Sequence, residues 1–423
     1  MKKLIVNIFL AIEFFPFCVH AEETFSSARQ YAMSGAYSAM ARGAEALFLN
    51  PANLGFPQKK KFSINIIGLG AELSNNTLSH LMYQKYVGTY LDADEIDEIL
   101  DEIPSSGLNI NSNAKIQGFS IGIGSFAFGI RGFSNYSSYF SREIFELVLM
   151  GNELNRVYKF NPIKGDGITA AAVGAAFGKS FKFEQTAINA MAFGLMVRYL
   201  HGFSYARVTA SEFYTQTTAA AIEGLGHLSM NYAEGGNGFS VTSALSFELV
   251  NDWTVSFVLH NSLSEMIWNV QAKALNYDFQ IDKNNIEAFL ENGGSIDSLF
   301  VTADSSRMLN SFSTRLPSIL NFGLSMPFGN NFNLNFEIEN GFERSSLSSN
   351  SLRILAGAEL AVAPFFYVRS GVSVGGNFGN QFSGGFGIKI NNFCWDLAAR
   401  TFHGITSETS KGFGVATSLA IRY

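Results

Sequence analysis

The last twelve residues, Gly412-Phe-Gly-Val-Ala-Thr-Ser-Leu-Ala-Ile-Arg-Tyr423, decide the fold. In an extended chain successive side chains point to opposite faces. Phe413, Val415, Thr417, Leu419, Ile421 and Tyr423 therefore share one face, and Gly412, Gly414, Ala416, Ser418, Ala420 and Arg422 share the other. The first face is large and mostly apolar, the second small or charged. This is the lipid-out, lumen-in alternation of a transmembrane β-barrel strand.

The pattern recurs upstream. Phe332, Leu334, Phe336 and Ile338 oppose Asn333, Asn335, Glu337 and Glu339; Leu352, Ile354 and Leu360 oppose Arg353 and Glu359. Phe366, Val368 and Val372 oppose Arg369, Phe386 and Ile388 oppose Gly387 and Lys389, and Trp395 and Leu397 oppose Asp396 and Arg400. Phe239, Val241, Leu245 and Phe247 oppose Ser240, Thr242, Ser246 and Glu248. A soluble β-sandwich also alternates, but it seldom needs so many long strands of one polarity. The expected lumen charges are Glu337, Glu339, Glu359 and Asp396 against Arg353, Arg369 and Arg400, with Lys389 and Arg422 beside them. On the lipid face an Arg or Lys would cost about 2–4 kcal/mol at mid-bilayer.

Composition agrees. Only 15% of the 423 residues are charged, against roughly 25% in a soluble domain. Forty-one Phe, 15 Tyr and 40 Gly suit neither a water-facing surface nor disorder. A net charge of −6 without a basic stripe argues against nucleic acid. Lys2 and Lys3 precede an apolar run from Leu4 to Val19, and Val19-His20-Ala21 offers a cleavage site, so residues 1–21 read as a signal peptide. Cleavage removes Cys18 and leaves Cys394 alone, without an intramolecular disulfide. Beyond the leader no run of 18 uncharged apolar residues exists, so a membrane protein must cross with strands.

Short turns are expected near Gly124, Gly178–Lys182, Asn251-Asp252, Gly329-Asn330, Ala363-Pro364 and Asn391-Asn392. Long connections fall at about 73–113, 140–165, 205–236, 264–310, 343–350, 376–381 and 404–410. The two sets alternate, as periplasmic turns and extracellular loops do. Thirteen connections make a 14-stranded antiparallel barrel over 59–423, with sixteen strands the competing count. The extended stretches 215–233 and 265–281 then prolong strands or lie in loops.

Helical inserts are expected in the extracellular loops. Asp92 and Glu95 have capping-box spacing, with Ile96, Ile99, Leu100 and Ile103 as one apolar face. The reading is a solvated helix on the rim; the acidic spacing matches no calcium loop. A second insert, 141–152, carries Ile144, Phe145, Leu147 and Val148, with Gly151 as its stop. With Tyr136, Tyr139 and Phe140 before it, it reads either as the loop's own core or as an apolar entry groove. A third short helix is expected around 286–290.

Catalytic signals are weak. Gly118-Phe-Ser-Ile-Gly122 matches the nucleophile-elbow pattern but lies within an alternating strand, with no helix after it. The histidines are scattered, with neither metal-ligand spacing nor a cysteine cluster. Neither an enzyme, a cofactor nor a metal is expected.

Residues 27–56 precede the first strand, lack alternation and are rich in Ala, Gly and Ser. Such a segment suits a confined space, and 22–58 reads as a helical hatch inside the lumen. Here the chain resembles the FadL-like outer-membrane proteins, the TodX-type hydrocarbon transporters among them, and the related PorV/PorQ-type proteins. The resemblance is carried by Met33-Ser-Gly-Ala-Tyr37, by Asn50-Pro51-Ala52 before Leu54, by Leu316-Pro317 with Asn321-Phe-Gly-Leu324, and by the C-terminal Leu419, Ile421 and Tyr423. These last three look like the signal read by the outer-membrane assembly machinery. The resemblance implies a fourteen-stranded barrel, expected as a monomer amid outer-membrane lipid, in the outer membrane of a diderm bacterium. It implies uptake of long-chain fatty acids or other hydrophobic small molecules. Ligand would enter an extracellular apolar groove, reach an inner pocket and leave sideways beside the hatch, to which Asn50, Pro51 and Ala52 would belong. A ligand carboxylate could pair with Arg353, Arg369 or Arg400, although pairing with the lumen glutamates and Asp396 is the plainer role. PorV-type relatives imply a different role, a scaffold for secretion or surface attachment. An adhesin or structural barrel using its long loops is a third reading.

Overall fold

The computed structural model describes residues 25–57, 62–160, 162–184, 187–219, 221–281, 300–343, 350–376 and 379–422. The leader at 1–21, the helix expected at 286–290 and Tyr423 lie outside them.

The strands in chain order are β1 (Phe62–Asn75), β2 (Leu108–Ile123), β3 (Phe126–Phe140), β4 (Val157–Lys159), β5 (Lys164–Lys182), β6 (Ile188–Thr217), β7 (Ile222–Ala233), β8 (Gly235–Leu249), β9 (Thr254–Val270), β10 (Lys273–Ile281), β11 (Phe300–Met308), β12 (Phe312–Thr314), β13 (Ile319–Phe328), β14 (Phe332–Gly341), β15 (Arg353–Ala363), β16 (Phe366–Gly375), β17 (Gln381–Ile390), β18 (Phe393–Phe402) and β19 (Gly412–Arg422). Fourteen of them close a ring. β1 pairs with β2, and the pairing runs on through β3, β5, β6, β8 and β9. It continues from β9 to β13 and strand by strand to β19, which returns to β1. Every pair is antiparallel, so the count is fourteen and not sixteen.

The short turns fall where Gly and Asn allow them. Gly124 and Gly329 have positive φ, as do Asp252 and Asn391, a backbone region open mainly to Gly, Asn and Asp. One end of the ring therefore carries tight turns and the other carries long loops. The 10-residue strands at β13, β14 and β16 to β18 rise about 33 Å along their axes. Tilted by roughly 40°, they span close to the ~25 Å of an outer-membrane apolar band.

The opposite arc is taller. β6 has 30 residues, about 100 Å along the strand. Above its junction with β8 it pairs with β7, β7 pairs with β10, and β10 with β11. The extended stretches seen in the sequence thus prolong the wall into a raised sheet at the loop end. Residues 302–308 of β11 are all exposed.

Side chains sort as the alternation requires. Phe128, Ile130, Leu195, Val197, Phe322, Phe336, Ile354 and Val415 point outward and are 36–52% exposed. Inward residues of the same strands are buried, among them Arg131, Arg198, Glu337, Arg353 and Ala416.

What buries them is the N-terminal segment. Residues 25–57 lie within the ring as helix α1 (Ala28–Ala32) and two 3-10 turns, Gly43–Ala46 and Pro51–Gly55. α1 packs on β16 to β19, Gly43–Ala46 on β1 to β3, and Pro51–Gly55 on β5, β6 and β8. Inward glycines let the backbones meet. A Cβ at Gly122 would stand 2.7 Å from Gly43 C, one at Gly178 2.5 Å from Pro51 O, and one at Gly357 2.6 Å from Met33 Cβ. At Gly194 and Gly371 it would overlap Pro51–Ala52 and Met33–Ser34 outright. Part of the glycine abundance thus lies where the wall receives another chain segment.

Three helices decorate the loop end: α2 (His80–Tyr86), α3 (Ala93–Glu102) and α4 (Arg142–Met150). α3 carries the expected capping box, with Glu95 N–H donating to Asp92 Oδ1 at 2.9 Å and Asp92 N–H to Glu95 Oε2 at 3.1 Å. Its Ile99 and Leu100 are buried, and Ile103 at its end is too. Gly151 ends α4 at φ +87°. No helix among the described residues is long and apolar enough to cross a membrane.

Candidate functional site

The interior divides into a part filled by residues 25–57, which reach the turn ends of β5 and β6 on one arc and the loop ends of β15 and β18 on the other, and a loop-side half above them under the taller arc. Charges on the wall hold the segment. Arg29 Nε and Nη2 donate to the two Glu359 oxygens, each at 2.6 Å, and Arg369 Nε donates to Glu359 Oε2 at 2.6 Å. Arg369 Nη1 reaches Asp396 Oδ1 at 2.7 Å. Arg400 binds Glu72 at 3.0 Å, donates to Tyr31 O and lies 4.0 Å from the Tyr31 ring. Arg353 donates to Ser34 O, Ser373 Oγ and Gln381 Oε1, with Glu339 at 3.9 Å. Glu337 takes no arginine; it accepts from the Tyr37 and Ser38 amides and from Asn321. Most wall charges found by alternation are therefore committed to the segment and to one another. Arg353 and Arg400 are turned to the segment and to wall partners, whereas Arg369, bound to Glu359 and Asp396, also borders a small cleft at the turn end.

The sequence did not single out the segment's own charges. Glu45 joins Arg422 at 3.0 Å and Arg29 at 3.7 Å, and Tyr37 OH donates to Glu45 Oε2 at 2.6 Å. Arg42 approaches Glu248 at 3.6 Å. No local pattern marks these partners, and Arg422 and Glu248 lie hundreds of residues away from theirs.

Asn50, Pro51 and Ala52 form the start of a 3-10 turn for a local reason. Asn50 caps it by accepting from the Ala52 amide at 3.1 Å, and Pro51 occupies the first position, where its missing N–H costs nothing. Asn50 Nδ2 also donates to Ser38 O and Ser246 Oγ. Asn53 Nδ2 gathers the carbonyls of Ser38, Ala39 and Ala41. All of Asn50 to Leu54 is buried.

The loop-side half has two linings. β3, β5, β6 and β9 contribute Phe133, Ile168, Ala172, Leu200, Met266 and Trp268, one apolar cluster. Trp268 is fully buried, stacks at 5.2 Å on Tyr205, and donates its indole N–H to Thr314 at 2.8 Å. Beside it, β2 and β3 turn inward Asn111, Asn113, Lys115, Gln117, Arg131 and Asn135. Asn113 and Asn135 stand directly opposite each other and are 1% and 0% exposed. Neither Asn135 amide atom has a hydrogen-bond partner among the described residues, nor does Asn113 Oδ1. Buried amides in this state are completed by ordered water or by a ligand. Arg131 lies 4.8 Å from the Phe48 ring and Lys115 5.9 Å from the Phe25 ring, so both stand where the segment meets this space. The sequence reading did not single these residues out; alternation gives a face but not a height relative to the segment.

The residues suggested as an entry groove do not share one face. Alternation along β3 sends Tyr136 and Phe140 to the side of Phe128 and Ile130, and Tyr139 to the side of Asn135. Tyr136 OH contacts Thr169 and Ser204. Ile144, Phe145, Leu147 and Val148 on α4 are half-buried, and α4 packs on α3 and β4. At the rim, its hydrogen bond to Lys85 holds the Glu98 carboxyl below its ordinary range. Ser120 of the nucleophile-like pattern is buried in mid-strand, with β2 running on to Ile123. No group of three or more His, Cys, Asp or Glu among the described residues is placed to hold a metal.

The family described as "Family of unknown function (DUF5723)" matches residues 51–262, half of the chain. The chain belongs to this family. No curated protein matches it. Among solved structures, the toluene transporter TodX of P. putida is similar at 11% identity and a TM-score of 0.53, covering 95% of this chain and 99% of its own. The toluene transporter TbuX of Ralstonia pickettii gives 13% and 0.53 at the same coverages. A FadL homologue from Pseudomonas aeruginosa gives 10% and 0.50, again over 95% and 99%. At such identities the likeness establishes the fold, a FadL-type fourteen-stranded barrel, over nearly the whole of this DUF5723 chain.

Proposed function

We propose that the chain transports long-chain fatty acids or other hydrophobic small molecules across the outer membrane of a diderm bacterium, through a barrel stoppered by residues 22–58. The observation that carries this reading is the filled bore. Glycine seats and a collar of ion pairs hold residues 25–57 against wall strands on all sides. A bore so closed suits cargo that avoids water better than it suits ions or sugars. Above the stopper, the Trp268 cluster beside the Asn113–Asn135 amides offers an apolar wall next to a polar corner, which fits a hydrophobic body with a small polar head. Burial there contributes about 0.8 kcal/mol per CH₂. TodX and TbuX, which share the fold, are named toluene transporters.

Transport in this reading ends sideways. The Pro51–Gly55 turn is pressed onto β5, β6 and β8 and leaves little room there. Two adjacent β-bulges favour another arc, one at Ile66 of β1 and one at Gly118–Phe119 of β2. Gln117 Nε2 bridges the second by donating to Gly118 O and Ile130 O. Loops then face outward and turns the periplasm, with Leu419 and Ile421 on the lipid face as part of the assembly signal.

The test is reconstitution into liposomes. The expected result is saturable passage of a long-chain fatty acid or a monoaromatic hydrocarbon without swelling in arabinose, and acyl lipid retained on purification. Sugar permeation like that of an open porin, or no hydrophobic compound bound or passed, would overturn the reading. A scaffold role for secretion or surface attachment is the second reading. It is favoured by β11, whose one described strand neighbour is β10 and which rises from the loop end as a pairing edge. It predicts a co-purifying protein in place of lipid.

A further inference from the structure

We propose that the turn end of the barrel carries a binding site for a small oxyanion of the carboxylate or phosphate type, seated between residues 25–57 and strands β16 to β19. A cleft of about 80 Å³ lies there, lined by Arg29, Tyr367, Arg369, Lys389, Asp396 and Arg422, with Cys394 at its back. Register assembles it. Tyr367 stands opposite Gly387, Gly387 opposite Asp396, and Lys389 opposite Cys394, so one inward face supplies them all. Gly387 keeps the cleft open. A Cβ at that position would strike Asp396 Oδ1 and stand 2.6 Å from Arg369 Nη1.

The charges do not balance inside the cleft. Arg29 and Arg369 share Glu359, Arg369 also binds Asp396, and Arg422 binds Glu45. Those three carboxylates face four cations, and the fourth, half-buried Lys389, has no described ion partner. One negative charge completes the set. Guanidinium groups already fixed by their carboxylates lose little freedom when they bind an oxyanion, and such charge-assisted bonds are the strong ones. Size sets the class. At about 30 Å³ per water, the cleft takes two or three waters or an oxyanion of a few heavy atoms, but not the body of an apolar compound.

The site lies on the far side of residues 25–57 from the Trp268 cluster, so it stands whether or not the barrel carries hydrophobic cargo. Its anion has two sources, a free anion on the turn side or the acid head of a cargo molecule. Calorimetry on the detergent-purified full chain separates them, with inorganic phosphate in one arm and octanoate in the other. Saturable binding at millimolar concentration is expected in at least one arm. Phosphate alone assigns a free anion; octanoate alone assigns a head group. Lys389→Met should weaken binding at least tenfold while the barrel keeps its heat-modifiable gel mobility, and Gly387→Val should abolish it by filling the cleft. Phosphate or octanoate should also slow alkylation of Cys394, read on its own peptide. No saturable binding of either compound up to 50-fold above the protein's ordinary buffer anion, or unchanged binding in Lys389→Met, would overturn the proposal. Failure of transport in liposomes would leave it standing.

Discussion

Glu359→Gln is the sharpest perturbation of the interior. Glu359 is 5% exposed and takes Arg29, 15% exposed, and Arg369, 3% exposed, on its two oxygens. The amide keeps the shape but leaves both guanidinium groups without the charge they share. Breaking a buried pair by removing one partner costs about 3–5 kcal/mol. Here the lower end applies, because Arg369 retains Asp396 at 2.7 Å and Arg29 retains Glu45 at 3.7 Å. At ~1.4 kcal/mol per tenfold, about 3 kcal/mol is roughly two powers of ten in the equilibrium for releasing residues 25–57. Hydrogen exchange of that segment in a nanodisc reads the change, with β9 and β13 as internal reference because they carry none of the three side chains. Arg29→Met added to Glu359→Gln should restore much of the protection, since an apolar pair of similar shape carries no stranded charge. Exchange in Glu359→Gln within threefold of the parent, or β9 and β13 accelerating as much as the segment, would refute the argument.

Gly194→Leu should unseat the Pro51–Gly55 turn, since even a Cβ overlaps Pro51 and Ala52. Overpacking of this kind costs about 1–3 kcal/mol, read as faster exchange at 50–55 in a barrel of unchanged gel mobility. Phe322→Arg places a charge on the outward face, where Phe322 meets Phe257 at 5.0 Å. It should lower folding stability in phospholipid vesicles by about 2–4 kcal/mol, and a urea titration measures it. Burial, with Lys411 beside it, holds the His403 imidazole below its ordinary 6.5. An opened loop therefore takes up a proton at higher pH than the closed one, so the 402–411 loop keeps its full stability above pH 6.5 and loses it as pH falls towards the depressed value. Exchange of 402–411 at pH 5 should exceed that at pH 7.5 after correction for intrinsic rates. His403→Asn should flatten the difference, because Asn tolerates the φ of +66° found there.

The wall was legible because its code is local. A two-residue period places Phe413 and Ala416 on opposite faces without knowledge of any neighbour, and Gly124, Asn391 or Asp252 marks a turn by its own backbone preference. The same code found Glu337, Glu359, Arg369 and Asp396 as inward charges. It did not reveal that Glu359 serves Arg29, because that pairing spans 330 residues and nothing at either position specifies the other. Asn113 and Asn135 were hidden for a related reason. Alternation gives a side chain's face but not its height above the stopper, and height separates a collar residue from a chamber residue. The raised arc of β6, β7, β10 and β11 showed only as surplus extended sequence, since a strand inside an apolar belt and one beyond it have the same period.

Residues 25–57 reach across the barrel. α1 rests on β16, β17 and β18, and the Pro51–Gly55 turn rests on β5, β6 and β8. Around a fourteen-membered ring these two arcs are diametrically opposed. Residues 25–57 are thus a strut spanning the cross-section, and a cylinder braced this way resists being squeezed into an ellipse. Lateral pressure from a crowded bilayer would have to buckle the strut before it could pinch the wall, and a chain stripped of its first sixty residues would be the softer tube.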